Sequence, residues 1–557
     1  MTAPLLSRDG DATRLPDQAA DTLVTIRGLK VSFDGVRRLD GTHHHVVDDV
    51  DLTVTRGKIL AVVGESGSGK SVTARTLVGL AGTGARVTAR RFDMFGEDVT
   101  NYTERDWRRL RGRRVGFVLQ DALTSLDPLK TIEQEIAEGL DPTLSKTGRA
   151  ERVTELLAAV GIPEPQERRR QYPHQLSGGQ RQRALIASAI AGDPGLLIAD
   201  EPTTALDVTI QAQILELIAG MARQGRGVIL ISHDLSVVAN LADEVLVMHE
   251  GRIVESGPVR QVIDTPSHDY TRQLIAAVPG AHSRGRRLAL ESAPRVTTRT
   301  APLSDRPAVV EVNGVGKWYR ARGGREFRAA EQVSFVVRPG EIVGLVGESG
   351  SGKSTVAKIV TGLLRPDAGE VVVAGTEWSS SRTRRAHLGL VQLIAQDSLG
   401  SFDPRYTVRE IIAETVRLRI RDRRQRNRRI AELLDLVRLP ADTIDRLPRH
   451  LSGGQRQRVS IARALGCEPR VLVCDEPVSA LDVSVQAQIL DLVDDLRAHT
   501  DAALLFISHD IGVIHHLADT VLVMHRGRIV ERGAAHEVFT NPTDDYTRSL
   551  ISAVPVL

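Results

Sequence analysis

The sequence predicts an α/β protein of two tandem domains, each built on a parallel-sheet core. Three observations predict it. Unbroken apolar runs such as Lys58–Val63 (KILAVV) and Val228–Ile231 (VILI) have the pattern of strands buried on both faces. Polar and acidic residues stand where these runs end, which is where open parallel sheets bind ligands. The whole arrangement then returns: Leu176–Pro202, with LSGGQRQR at its start and ADEP at its end, recurs almost unchanged as Leu451–Pro477. A period this long signals two domains, not a solenoid.

The bulk composition agrees. At 557 residues the chain exceeds a single core. Hydrophobic residues make up 41% and charged residues 26%, an ordinary globular balance. With 73 basic and 70 acidic residues the net charge is +3, so no polycation points to nucleic acid. Two cysteines, Cys467 and Cys474, are too few for a disulfide scaffold or a cysteine-rich metal cluster. They read as buried small hydrophobes, which fits a reducing cytoplasm. No apolar run approaches the roughly 18–20 residues of a membrane helix, and MTAPLLSRDGDATRLPDQAAD has no apolar signal core. The chain is expected neither to span a membrane nor to be exported, so a membrane role would come through partners.

Residues 1–22 are expected to be disordered. Strands are expected at Leu23–Ile26 and Val31–Phe33, and His43-His44-His45 in a solvated loop, since the three bring no carboxylate partner for a metal. The Lys58–Val63 strand runs into Gly64-Glu65-Ser66-Gly67-Ser68-Gly69-Lys70-Ser71 and then a helix, which satisfies G-x-x-x-x-G-K-[ST] in its proper context. The glycines let backbone N–H groups face phosphate oxygens. Lys70 would reach the outer phosphates and Ser71 would supply an oxygen to Mg²⁺. Gln120 closes the strand-like run Val115–Leu119, where its amide oxygen can meet a metal or a water. Residues 131–175 read as helices with charged faces, and Arg168–Arg170 as a solvated run.

Ser177-Gly178-Gly179-Gln180 places a hydroxyl and unhindered N–H groups at a helix start, a second anion site. The next strand presents Asp200, suited to Mg²⁺, and Glu201, suited to polarise a water for in-line attack. The Val228–Ile231 strand delivers Ser232-His233-Asp234, and His233 reads as functional because it joins other polar strand ends. Val245–His249 and Arg252–Glu255 suggest a hairpin around Gly251. Residues 281–307, basic and rich in Ser, Thr and Pro, read as a linker.

The second copy repeats each motif in order. Gly347-Glu348-Ser349-Gly350-Ser351-Gly352-Lys353-Ser354 matches the first phosphate loop, Gln396 matches Gln120, and Ser452-Gly453-Gly454-Gln455 matches Ser177–Gln180. Asp475 and Glu476 match Asp200 and Glu201, and His509 matches His233. The offset is 283 at the loops (353 − 70) and 275 at the carboxylates (476 − 201), so the second copy is shorter between its loop and its glutamine. That segment can absorb length changes, as a surface lobe would.

Together these motifs resemble a tandem ATP-binding cassette protein, from residue 23 onward. The resemblance implies two P-loop NTPase domains, each with a parallel-sheet core, an antiparallel β lobe and an α-helical lobe. The expected boundaries are 23–280 and 308–557, with C-terminal tails at about 256–280 and 532–557. It implies Walker A loops at the two glycine-rich turns, Q-loop residues Gln120 and Gln396, LSGGQ signatures, and switch histidines His233 and His509. Asp200/Glu201 and Asp475/Glu476 would close the Walker B strands, with ATP and Mg²⁺ as ligands. Phe33 and Tyr319 are the candidates to stack on adenine. Head-to-tail pairing, the family's habit, would bring Ser452–Gln455 to the nucleotide of Lys70 and Ser177–Gln180 to that of Lys353, giving two competent sites.

Within the family, ALDVTIQAQIL and ALDVSVQAQIL, with HDYTRQLIAAVP and DDYTRSLISAVP, are similar to the ATPases of bacterial peptide importers. That implies a peripheral protein on the cytoplasmic face of the inner membrane. It would dock on two permeases through lobes near residues 121–140 and 397–416 and serve an external binding protein. Some relatives carry a cysteine cluster in the first C-terminal region; none stands here, so no iron–sulfur cluster is expected. A tandem cassette acting on ribosomes would carry a longer, charged, helical linker and no such tail. A DNA-repair ATPase would carry a coiled-coil or zinc insertion. A sugar importer's ATPase has a similar layout but often a degraded second cassette.

Overall fold

The computed structural model describes residues 21–37, 43–119, 125–203, 206, 208–289, 305–320, 326–378, 387, 389–479 and 481–553. Contacts divide the chain into two compact units. The first comprises Met1–Thr204, Leu215–Ser232 and Leu241–Val262; the second comprises Ala205–Ile214, His233–Asn240 and Ile263–Leu557.

In the first unit β1 (Thr22–Arg37), β2 (His43–Thr55), β4 (Ala85–Thr88), β5 (Arg91–Met94) and β6 (Glu97–Asp98) form an antiparallel sheet in the order β2-β1-β5-β6, with β4 also on β1. The core sheet is built from β3 (Ile59–Val63), β7 (Val115–Val118), β8 (Leu196–Asp200), β9 (Gly227–Ile231), β10 (Glu244–His249) and β11 (Arg252–Pro258). Its order is β11-β10-β3-β9-β8-β7, parallel except for the β10–β11 hairpin. Every residue of β3, β8 and β9 is buried, as the unbroken apolar runs require. Leu60, Val62, Ile198 and Ile229 share one core with Ile26, Leu29 and Leu77 from the other sheet and the helix after β3.

The second unit repeats this plan. Its antiparallel sheet runs β13 (Glu326–Val337), β12 (Val310–Arg320), β15 (Ala368–Val373), β16 (Thr376–Glu377). Its core sheet runs β17 (Val391–Ile394), β18 (Val471–Asp475), β19 (Ala503–Ile507), β14 (Ile342–Val346), β20 (Thr520–His525), β21 (Arg528–Ala534). The helical stretches also match expectation: Ile132–Ala137 and Val408–Val416 start on capping boxes from Thr131/Gln134 and Thr407/Glu410. Cys467 and Cys474 are buried, and burial pushes their thiols up to about 11 and about 12.

Three expectations change. The segments 23–26 and 31–33 are one strand, β1, whose register shifts beside Gly28 at φ 65°. The three histidines lie in β2, not in a loop; His45 pairs with Ser32 across the ladder. The polar stretch reads as loop because three successive histidines show no apolar alternation, whereas the pairing that makes them a strand comes from β1. Residues 281–289, within the stretch read as linker, pack on the helix Val483–His499. Leu288 is 1% exposed, the N–H groups of Leu288 and Ala289 donate to Asp491 at 3.0 and 3.1 Å, and Arg287 grips Asp495 at 2.6 and 3.2 Å.

Candidate functional site

β3 ends directly in the first glycine-rich loop. Gly64 has φ 146°, and a Cβ there would sit 2.0 Å from the Met248 carbonyl; at Gly347, with φ 149°, the Met524 carbonyl would be 2.1 Å away. Only glycine permits this approach, which locks each loop against the hairpin strand beside it. The hairpin turn adds a bond: Gly251 N donates to Ser68 O at 3.1 Å, and Gly527 N to Ser351 O at 2.9 Å.

Both lysines are buried and fold back on their own loops. Lys70 Nζ donates to the Gly64 and Glu65 carbonyls at 2.7 Å each, and Lys353 Nζ to the Gly347 and Glu348 carbonyls at 2.7 and 2.8 Å. The ammonium group thus stands at the mouth of a cradle of N–H groups. Ser71 Oγ donates to Asp200 Oδ1 at 3.1 Å, and Ser354 Oγ to Asp475 Oδ1 at 3.3 Å. Asp200 is 0% exposed and its Oδ2 has no hydrogen-bond partner. Burial, with Glu201 adding and Ser71 opposing, lifts its carboxyl above the ordinary range; Asp475 is lifted by burial and by Glu476.

Next to each aspartate the backbone turns left-handed, with φ 50° at Glu201 and 49° at Glu476. Such a conformation is costly for a residue with a Cβ and marks a position held by its surroundings. Here the holding bonds are Glu201 N to Ile231 O and Glu476 N to Ile507 O, each 3.0 Å. In the second unit Glu476 Oε2 accepts from Gln396 Nε2 at 2.9 Å and lies 3.2 Å from His509 Nδ1. Burial works to raise Glu476 and to lower His509, but their mutual attraction outweighs it: the glutamate titrates low and the histidine high. Ser479, which the motif reading passed over, joins the cluster: its Oγ donates to the Glu476 carbonyl at 3.2 Å and accepts from Gln396 Nε2 at 3.4 Å. Gln120 lies outside the described residues.

The signature serines are helix caps. Ser177 Oγ accepts from Gln180 N at 3.3 Å while Gln180 Oε1 accepts from Ser177 N at 3.1 Å, and Ser452 and Gln455 repeat both distances. Each serine–glutamine pair satisfies itself; Gly178 and Gly453 are exposed beside it, Gly179 is half-buried, and Gly454 is buried. Phe33 is half-buried against its core, whereas Tyr319 is 44% exposed.

The ABC transporter family profile matches residues 47–204 and 330–479, and the profile described as "Oligopeptide/dipeptide transporter, C-terminal region" matches 254–306 and 530–557. The chain is 42% identical over 547 residues to a peptidoglycan transport ATP-binding protein of Agrobacterium fabrum, covering 95% of this chain and 96% of that one. It is 39% identical over 606 residues to an oligopeptide transport ATP-binding protein of Mycobacterium bovis, covering 96% and 98%. A glutathione import ATP-binding protein of Salmonella paratyphi A is 42% identical over 562 residues, covering 96% and 90%. Among solved structures, an archaeal ribosome recycling factor aligns with a TM-score of 0.60 over 91% of this chain and 90% of its own, at 20% identity, a likeness of fold alone.

Proposed function

The chain belongs to the ABC transporter family, as a tandem transport ATPase, and we propose that it powers the import of peptides or a related small solute. The observation that carries the substrate class is the tail: both copies end in a segment that matches the oligopeptide/dipeptide transporter region. The relatives named for peptidoglycan, oligopeptide and glutathione transport support the same group.

In this reading Lys70 and Lys353 leave their loop carbonyls for the outer phosphates of ATP. Asp200 with Ser71, and Asp475 with Ser354, would hold Mg²⁺. A buried carboxylate with an unbonded oxygen fits a cation. The ion supplies charge neutralisation at the phosphates. Glu201 and Glu476 orient and deprotonate the attacking water; at the second site, Gln396 and His509 hold the carboxylate that does so. ATP binding closes the pair of cassettes and hydrolysis releases it.

The partners are two permeases, and through them an external binding protein; the ATPase rides on the inner face of the membrane. Among the described residues no helix is long and apolar enough to cross a membrane. Leu129, 84% exposed, and the exposed Leu399 and Tyr406 lie in or beside the lobes expected to dock. Affinity purification of the tagged chain from gently solubilised membranes tests this. A pair of permeases should come with it; ribosomes without permeases would sink the reading.

A further inference from the structure

The tail helix Asp545–Ser552 lies against the second phosphate loop. The Tyr546 hydroxyl accepts a hydrogen bond from Glu348 N at 3.0 Å, and the Tyr546 ring stacks on His525 with centroids 3.9 Å apart and planes 2° from parallel. His525 ends β20, the strand whose neighbouring Met524 carbonyl crowds Gly347. The tyrosine therefore stands on the same strand end that fixes the start of the loop.

Glu348 is the residue on which several bonds meet. Its N–H is taken by Tyr546, its carbonyl by Lys353 Nζ at 2.8 Å, and its Oε1 by Thr209 Oγ1 at 2.5 Å. The tail is in turn pinned. Glu531 accepts from Thr543 N, Thr543 Oγ1 and Asp544 N at 2.7, 2.8 and 3.2 Å, Asp544 Oδ1 caps the helix by accepting from Tyr546 N at 2.9 Å, and Arg548 Nη1 donates to the Pro542 and Thr543 carbonyls at 3.0 and 2.9 Å. A phenol placed on so constrained a base is a fixed point, not a passing contact.

We propose that Tyr546 is a positioning residue for the second phosphate loop, through which the C-terminal tail sets nucleotide affinity at that loop. When phosphate arrives, Lys353 gives up the Gly347 and Glu348 carbonyls, and the loop loses the two bonds that hold it from inside. The Tyr546 hydroxyl holds the Glu348 peptide from outside, so the N–H cradle keeps the shape that receives the phosphates. Without it, binding must pay to reorder the loop. A tail displaced by a docked partner would weaken nucleotide binding at this loop by the same route.

The inference rests on the second loop being a nucleotide site, and the test separates the two. The full chain carrying Lys70→Ala leaves the second loop as the nucleotide site; a non-hydrolysable ATP analogue with Mg²⁺ is the probe. Adding Tyr546→Phe removes the hydroxyl and keeps the stacked ring. Analogue affinity should fall about three- to tenfold, the worth of one buried hydrogen bond. In the otherwise native chain, KM for ATP should rise with kcat held, and the melting temperature without nucleotide should stay within about 1 °C. Tyr546→Leu, which also loses the stack, should weaken affinity further. Unchanged affinity in Tyr546→Phe would overturn the proposal, as would a loss accompanied by a matching fall in melting temperature without nucleotide. A Lys70→Ala parent that binds no analogue would overturn the nucleotide reading of the loop and the proposal with it.

Discussion

Phe33 and Tyr319 occupy matching places within the first strand of each cassette, yet their surroundings differ. Phe33 packs on the core shared by its two sheets, and a Cβ on Gly82 would lie 3.3 Å from its ring. Tyr319 stands 44% exposed in β12, paired across the ladder with the exposed Phe327, with Lys317 Nζ 5.8 Å from its ring centre. Beneath these aromatics the charged groups scarcely differ: the two lysines reach the same pair of carbonyls within 0.1 Å of each other. The chemistry is thus held constant across the duplication, while the means of gripping the base has room to drift.

The strongest test of that constancy is the lysines. Lys70→Ala and Lys353→Ala should each weaken nucleotide at the altered loop by about 10- to 100-fold, the worth of charged hydrogen bonds. Equal losses by titration with a labelled nucleotide would sharpen the comparison; a tenfold disparity would break it. For the aromatics the outcomes should diverge. Tyr319→Ala should cost about 1–3 kcal/mol of nucleotide binding through lost stacking, with the fold unharmed. Phe33→Ala should cost about 2 kcal/mol of stability by opening the core, measured by denaturant unfolding.

A smaller contrast lies in the aspartates, since Asp200 is enclosed while Asp475 is half-buried. Both carboxyls titrate above the ordinary range, so folding holds their protons and ionisation at neutral pH costs stability. Asp200→Asn should abolish the Mg²⁺ dependence of the first site yet raise the stability of the nucleotide-free chain in denaturant unfolding, more than Asp475→Asn does. The gain should shrink as pH falls through the raised carboxyl pKa, where the native residue takes up its proton. Smallest is the His509 effect. Its pKa is raised by Glu476, so the pair's stabilisation is complete below about pH 6.5 and fades as pH rises through the raised value. The melting-temperature deficit of His509→Gln, about 1–2 °C, should therefore shrink on going from pH 6 to 8.

Much of this site was legible in the sequence because its parts are local. A glycine loop between a buried strand and a helix declares itself within fifteen residues, and the acidic pair stands where an apolar run stops. Gln396, Glu476 and His509 could be grouped because ligands gather at the ends of parallel strands. The tertiary partners were less legible. The basic, Ser/Thr/Pro-rich composition of residues 281–307 reads as a linker, while the acids that receive Arg287 and the Leu288 N–H, Asp495 and Asp491, lie some 200 positions onward. The DYTR repeat was visible, but nothing local tells that Tyr546 touches a loop 198 residues earlier. Three successive histidines show no apolar alternation, and the β1 partner that makes them a strand is not visible from their own composition.

The central claim is that the two sites are alike and each competent, and steady-state ATP hydrolysis by Glu201→Gln, Glu476→Gln and the double variant tests it most directly. Each single variant should keep roughly half of the native rate, and the double should fall by about 10²- to 10⁴-fold, the usual worth of a general base. A Glu201→Gln chain as inactive as the double, with Glu476 intact, would contradict two independently competent sites.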